Sequence, residues 1–315
     1  MDGAQPAGDT KAIKAKNRTR NLALRAFSAL GVLALVYFCL RWDVVNGKGW
    51  AWAGLTAVIS LFCLREYYRL AAASGSQPFT WFGYAMGPLW ILASEWELSG
   101  LAPARLTTGV AWPLFVFICV GAMLLQLTRK TNTGALDNVS VTIYGIIYCS
   151  MLPGLTVYLR HLQLGPGGWP LHGVEFVVVC IFVSKVSDVG ALLTGSRWGK
   201  NKLIPRLSPG KTREGALGGL IFSILLLQFM TLTAPSMALA GLGRPKLVLL
   251  SVLLAAGGLA GDLIESAFKR NSQRKDAGAG VPGFGGMLDL TDSLMIATPV
   301  MYFFLVLCGA TPITS

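Results

Sequence analysis

Nine apolar stretches of spanning or near-spanning length punctuate this chain, at about 22–41, 50–64, 80–96, 110–128, 139–159, 174–195, 215–233, 247–265 and 290–309. Backbone groups that enter hydrocarbon must be satisfied within the protein, and these lengths suit helices. The pattern therefore predicts an all-α fold, a polytopic transmembrane helical bundle of about nine spans. Composition agrees, because 53% of the 315 residues are hydrophobic and only 13% are charged, too few for a water-facing surface. The apolar run after Arg25 reads as a first span and not as a cleaved leader, since no small-residue cleavage site follows Trp42.

Basic residues close to span ends are retained on the cytoplasmic side. With the N-terminus inside, nineteen of the 27 Lys and Arg residues fall in inside segments and six outside, Arg25 and Lys185 lying within spans. The expected organisation is a polar cytosolic N-terminal segment, 1–20, then N-terminal transmembrane helices, 21–160, then a C-terminal catalytic transmembrane region, 161–315, with cytosolic loops at 196–214 and 266–289.

Anchoring to anionic head groups accounts for most of the net charge of +12. The basic residues are spread over several loops without interleaved aromatics, so no nucleic acid is expected as a partner. Cys39, Cys63, Cys119, Cys149, Cys180 and Cys308 sit in apolar segments without CxxC spacing, which argues against a zinc site or a disulfide framework. His161 and His172 fall in one expected outside loop, far from the acids, and read as non-catalytic.

The acids concentrate near the end of the chain. Asp262, Glu265, Ser266 and Lys269 stand at i, i+3, i+4 and i+7, so a helix carries all four on one stripe. An acid at mid-helix in a membrane costs roughly 2.5–3.5 kcal/mol, so these groups need a cation, a base or water. The plain alternative is a salt-bridged helix end, Lys269 neutralising Glu265, but that leaves Asp262 unexplained. Downstream, the glycine-dense run 278–286 permits amides to turn toward an anion, and Asp289 and Asp292 add two oxygen ligands on one face. Carboxylates, a glycine loop and bases together suit a metal-bound polyphosphate, whereas the loop alone is equally well a hinge.

A third piece precedes these. Ser184, Lys185, Ser187 and Asp188 interrupt an apolar helix, and Ser208-Pro209-Gly210-Lys211-Thr212-Arg213-Glu214-Gly215 follows after Pro205. The Gly210-Lys211-Thr212 triplet is not a Walker A loop, since Pro205 stands where a glycine is required and no strand-forming run precedes it. Lys211 reads as a phosphate-binding lysine in another scaffold.

Ser266, Lys269, Arg270, Lys275 and Asp276, then Pro282-Gly283-Phe284-Gly285-Gly286 and Asp289-Leu290-Thr291-Asp292, resemble the signature of the phosphatidate cytidylyltransferases, the CDP-diacylglycerol synthases. Upstream, Asp188, Gly199-Lys200, Ser208-Pro209, Lys211-Thr212 and Glu214-Gly215 resemble the same family, and Arg65-Glu66-Tyr67-Tyr68-Arg69-Leu70 is similar to its short acidic-aromatic segment. Phe284 departs from the family's histidine and Leu290 from its arginine, which removes a donor or base near phosphate and a bidentate phosphate contact.

The resemblance implies that CTP and phosphatidic acid are the substrates and CDP-diacylglycerol and pyrophosphate the products. It implies catalytic roles for Asp262, Ser266, Lys269, Arg270 and Asp289, and substrate binding by Lys211, Thr212, Lys275, Asp276, Gly285 and Gly286. It further implies Mg2+ held by Asp262, Asp289, Asp292 and Asp188, a second monovalent cation such as K+, and a bacterial cytoplasmic membrane with the active site facing the cytosol. Oligomeric state is left open, a homodimer being one option. Two other classes compete: a CTP-dependent lipid-alcohol kinase of the polyprenol or phytol type, and an ion-coupled transporter using Asp188 and Asp262.

Overall fold

The structure is a computed structural model and describes residues 31–101, 109–130, 133–165, 171–273 and 286–312. Nine helices occur among the described residues: α1 (31–46), α2 (Trp50–Ala73), α3 (Thr80–Leu98), α4 (Ala111–Leu127), α5 (Ala135–Arg160), α6 (Leu171–Trp198), α7 (Arg213–Thr233), α8 (Arg244–Asn271) and α9 (Met287–Leu307). Helices α5 to α9 are long and apolar enough to cross a membrane, and α4 is a shorter apolar helix. The chain is an integral membrane protein with an all-α bundle, as its apolar pattern predicts.

Two small antiparallel ladders supplement the helices. β1 (Leu162–Gln163) pairs with β4 (Thr311–Pro312), and β2 (Lys202–Ile204) pairs with β3 (Ser208–Thr212) as a hairpin between α6 and α7. The expected loop 196–214 is thus narrower: α6 continues through Trp198 and the remainder is largely hairpin. The expected loop 266–289 also shortens. Ser266, Lys269 and Arg270 ride the last turns of α8, where cations complement the helix dipole, and Asp289 stands in the first turn of α9.

Small residues set how closely the helices pack. α6 lies along α7, α8 along α9, and α8 also meets α6 and α7. A Cβ at Gly261 of α8 would collide with the backbone carbonyl of Asp292 in α9, and one at Gly219 of α7 would stand 2.7 Å from the Ser187 carbonyl in α6. Without a hydrophobic driving force between helices in lipid, such close backbone contact supplies the attraction. On the other side, Phe268 of α8 seats among Tyr67, Tyr144 and Tyr148, with ring centroids 5.7, 6.0 and 5.4 Å away. This aromatic nest ties the last turns of α8 to α2 and α5.

Gly261→Ala should therefore lower thermal stability in detergent by about 1–3 kcal/mol through overpacking. Gly54→Ala, where a Cβ meets nothing within 4 Å, should be near neutral. Equal unfolding temperatures for the two variants would contradict this packing.

Candidate active site

Four elements deliver charged side chains to one end of the bundle: the C-terminal half of α6, strand β3, the last turns of α8 and the first turns of α9. The α8 stripe survives as expected, and the i, i+4 salt bridge between Glu265 and Lys269 forms at 2.8 Å. Lys269 does more than neutralise its own helix, because its Nζ also reaches Asp289 Oδ1 of α9 at 2.6 Å. Asp289 Oδ2 accepts the Gly286 N–H at 3.3 Å. Lys211, carried by the hairpin, pairs with Asp262 Oδ2 at 2.6 Å, and the Ser266 hydroxyl donates to Asp262 Oδ1 at 3.5 Å.

Asp262, Glu265 and Asp292 each bring a carboxylate oxygen within 4.8 Å of the others. Oxygen-only donors at this spacing suit a hard divalent cation, so the residues present fit magnesium. Asp289, expected as a partner of Asp262, is engaged by Lys269 and the Gly286 amide, and Glu265 stands in the group instead. Asp188 lies across from Asp292, with Lys185 Nζ 3.7 Å from Asp188 Oδ2 and 3.9 Å from Asp292 Oδ1.

A cavity of about 660 Å³ opens beside these acids, between α6, α7 and α8. Asp188, Lys211 and Asp262 line part of it, and Leu192, Leu217, Leu220 and Leu259 line the rest. One wall can meet phosphate and the other hydrocarbon.

Other expected site residues do different work. The Thr212 hydroxyl caps α7 by accepting the Gly215 N–H at 3.1 Å, so it is held in backbone bonding. Arg270 is turned toward the hairpin, its Nε donating to the Leu207 carbonyl at 3.4 Å. Gly286 is required by close approach, since a Cβ there would strike the Glu66 carboxylate. Lys275, Asp276, Phe284 and Gly285 lie outside the described residues. His161, expected to be remote from the chemistry, is paired with Glu95 at 2.9 Å at the opposite end of the bundle.

Three residues that the sequence names without a site role gain one in the structure. Glu265 was legible as an acid of the α8 stripe and a partner of Lys269, and Lys185 as an interruption in α6. Glu66 of α2 is 3% exposed and accepts the Met287 and Leu288 N–H groups at 3.0 and 2.8 Å. It satisfies two of the free amides that begin α9 and places negative charge at the positive end of that helix dipole. The acidic-aromatic segment thus reaches the site through the start of α9.

The family model for the cytidylyltransferase family matches residues 23–308. The chain belongs to the cytidylyltransferase family. Among its relatives, it is 29% identical to the phosphatidate cytidylyltransferase of Synechocystis sp., over 88% of this chain and 95% of that one. It is 34% identical to the phosphatidate cytidylyltransferase of Bacillus subtilis over 60% of this chain and 68% of the relative. The enzyme of that name from Haemophilus influenzae is 40% identical over 43% of this chain and 47% of its own. Both stretches that carry the site, α6 to β3 and α8 to α9, fall inside the matched span.

Glu66→Ala should leave one buried and one part-buried amide unsatisfied and destabilise the folded protein by about 1–3 kcal/mol. Glu66→Gln keeps one acceptor oxygen and should lose less. A thermal melt in detergent that leaves Glu66→Ala at wild-type stability would refute the capping role.

Proposed function

We propose that this chain transfers the cytidylyl group of CTP to phosphatidic acid, forming CDP-diacylglycerol and pyrophosphate. The observation that carries the reading is the Asp262, Glu265 and Asp292 group beside a cavity with one ionic and one apolar wall. A lipid phosphate needs both walls at once. The relatives named as phosphatidate cytidylyltransferases support the same reaction.

In this reaction a phosphate oxygen of phosphatidic acid attacks the α-phosphorus of CTP. A new P–O bond forms as the bond to the bridging oxygen of the β-phosphate breaks, and pyrophosphate carries the electron pair away. No general base is required, because the attacking monoester is already largely ionised at neutral pH. The protein's contribution is positioning and charge. Lys211 and Lys269 offer ammonium groups to phosphate oxygens, exchanging part of their present pairing with Asp262, Glu265 and Asp289 for the substrates. Ser266, one turn from Asp262, offers a hydroxyl to the same region. Leu192, Leu217, Leu220 and Leu259 exclude water and accommodate acyl chain.

Asp262, Glu265 and Asp292 are the residues that would hold Mg2+, with Asp188 and Asp289 adjacent. Bound there, the ion supplies neutralisation of charge that develops on the triphosphate. The excess of Lys and Arg in the segments at this end supports its facing the cytosol, where CTP is available.

CTP labelled at the α-phosphate should pass label into lipid, and γ-labelled CTP should pass it only into pyrophosphate. Appearance of the γ-label in lipid would replace this reading with the lipid-alcohol kinase. Asp262→Asn and Glu265→Gln should each lower turnover on the order of a hundredfold or more while the protein stays folded. EDTA should silence the wild type and magnesium restore it, so full turnover in chelator refutes the metal site.

A further inference from the structure

Lys185 occupies a position that a membrane-embedded lysine normally avoids. Such side chains extend along the span toward the head groups. This one is held across the helix interface, its Nζ donating to the buried Ser293 hydroxyl of α9 at 2.7 Å. Small residues close the junction around it, with Gly258 of α8 facing both Ser293 and Ser184.

The three lysines of the site do not relate to its acids in the same way. Lys211 and Lys269 form direct ion pairs at 2.6 to 2.8 Å. Lys185 stands 3.7 Å from Asp188 and 3.9 Å from Asp292, beyond hydrogen-bond distance of either. It therefore offsets two carboxylates electrostatically without occupying an oxygen of either one. Three lysines, Lys185, Lys211 and Lys269, thus face five carboxyl groups, Asp188, Asp262, Glu265, Asp289 and Asp292.

The geometry points to Lys185 as a positioning residue, a tethered counter-charge that sets the divalent-cation affinity of the acid cluster without itself taking up an oxygen of Asp188 or of Asp292, whose Oδ1 already accepts the Ser293 N–H. Ser293 is the part that holds the ammonium at this stand-off distance. Without the hydroxyl, the ammonium loses the contact that holds it while it stands 3.9 Å from Asp292. The inference rests on reading Asp262, Glu265 and Asp292 as a divalent site. It does not depend on which lipid is the acceptor.

The test is Mn2+ titration of the detergent-solubilised full chain, followed by electron paramagnetic resonance in the absence of nucleotide and lipid. Lys185→Met removes the charge and nearly keeps the length, so Mn2+ should bind on the order of tenfold more tightly than in wild type. Lys185→Arg should remain near wild type. Ammonium chloride, compared with sodium chloride at equal ionic strength, should loosen Mn2+ binding in Lys185→Met toward the wild-type value and leave wild type unchanged. Unaltered affinity in Lys185→Met, or an ammonium effect of equal size in both proteins, overturns the proposal. Should Lys185→Met fail to fold, Ser293→Ala decides: Mn2+ binding weakened several-fold supports the tether, and unchanged binding overturns it. Because no substrate is present, these outcomes are separate from the labelled-CTP result.

Discussion

The contact between α8 and α9 is the one on which the acid cluster depends. At Gly261 the two backbones come so close that a methyl group would strike the Asp292 carbonyl, and the next residue along α8 is Asp262. That proximity sets Asp262 and Glu265 against Asp292, and it brings Lys269 within reach of Asp289. Acids in a membrane segment are unfavourable one at a time by roughly 2.5–3.5 kcal/mol. Gathered with lysines from α6, β3 and α8, they are offset by opposite charge and outnumber the lysines five to three.

Several other acids of the described helices answer a related constraint, the free amides at helix starts. Asp43 accepts the Ala51 and Trp52 N–H groups at 3.0 and 2.9 Å where α2 begins, and Glu95 accepts that of Gly49 at 2.9 Å. Glu97 receives those of Val110 and Ala111 at the start of α4, and Glu175 those of Ala238 and Leu239. Glu66 does the same for α9. A carboxylate meets this need where water is scarce because it accepts two amides at once and opposes the helix dipole. The N-terminal helices are consequently more than a membrane anchor: through Glu66 and the ring nest around Phe268 they fix the two helix ends that carry the site.

What could be read from the sequence was what is periodic or local. Apolar length marked the helices, and the 3.6-residue period put Asp262, Glu265, Ser266 and Lys269 on one stripe. The family resemblance also implied that Lys211 shares a site with the acids of α8. Long-range partnership was not legible. Glu265 has a lysine four residues away, so local reasoning closed its account before Asp292 could be considered. Lys185 finds its hydroxyl 108 residues downstream, and nothing in the spacing of α6 announces it. The family resemblance implies substrate binding by Thr212, yet an extended residue at a helix start satisfies the backbone first.

The separation between Glu66 and the amides that it caps has a consequence for how the protein is made. Met287 follows Glu66 by 221 residues, and at 5–20 residues per second the ribosome needs roughly ten to forty-five seconds to supply it. During that interval α2 is complete while the helix start that its buried carboxylate serves has not yet been translated. Asp188 and Asp262 likewise precede Asp292. α9 is thus the span that satisfies groups laid down earlier, so assembly of the site is deferred until α9 has been made. The nascent bundle must keep a polar seam open, toward water or toward the insertion machinery, until α9 closes it.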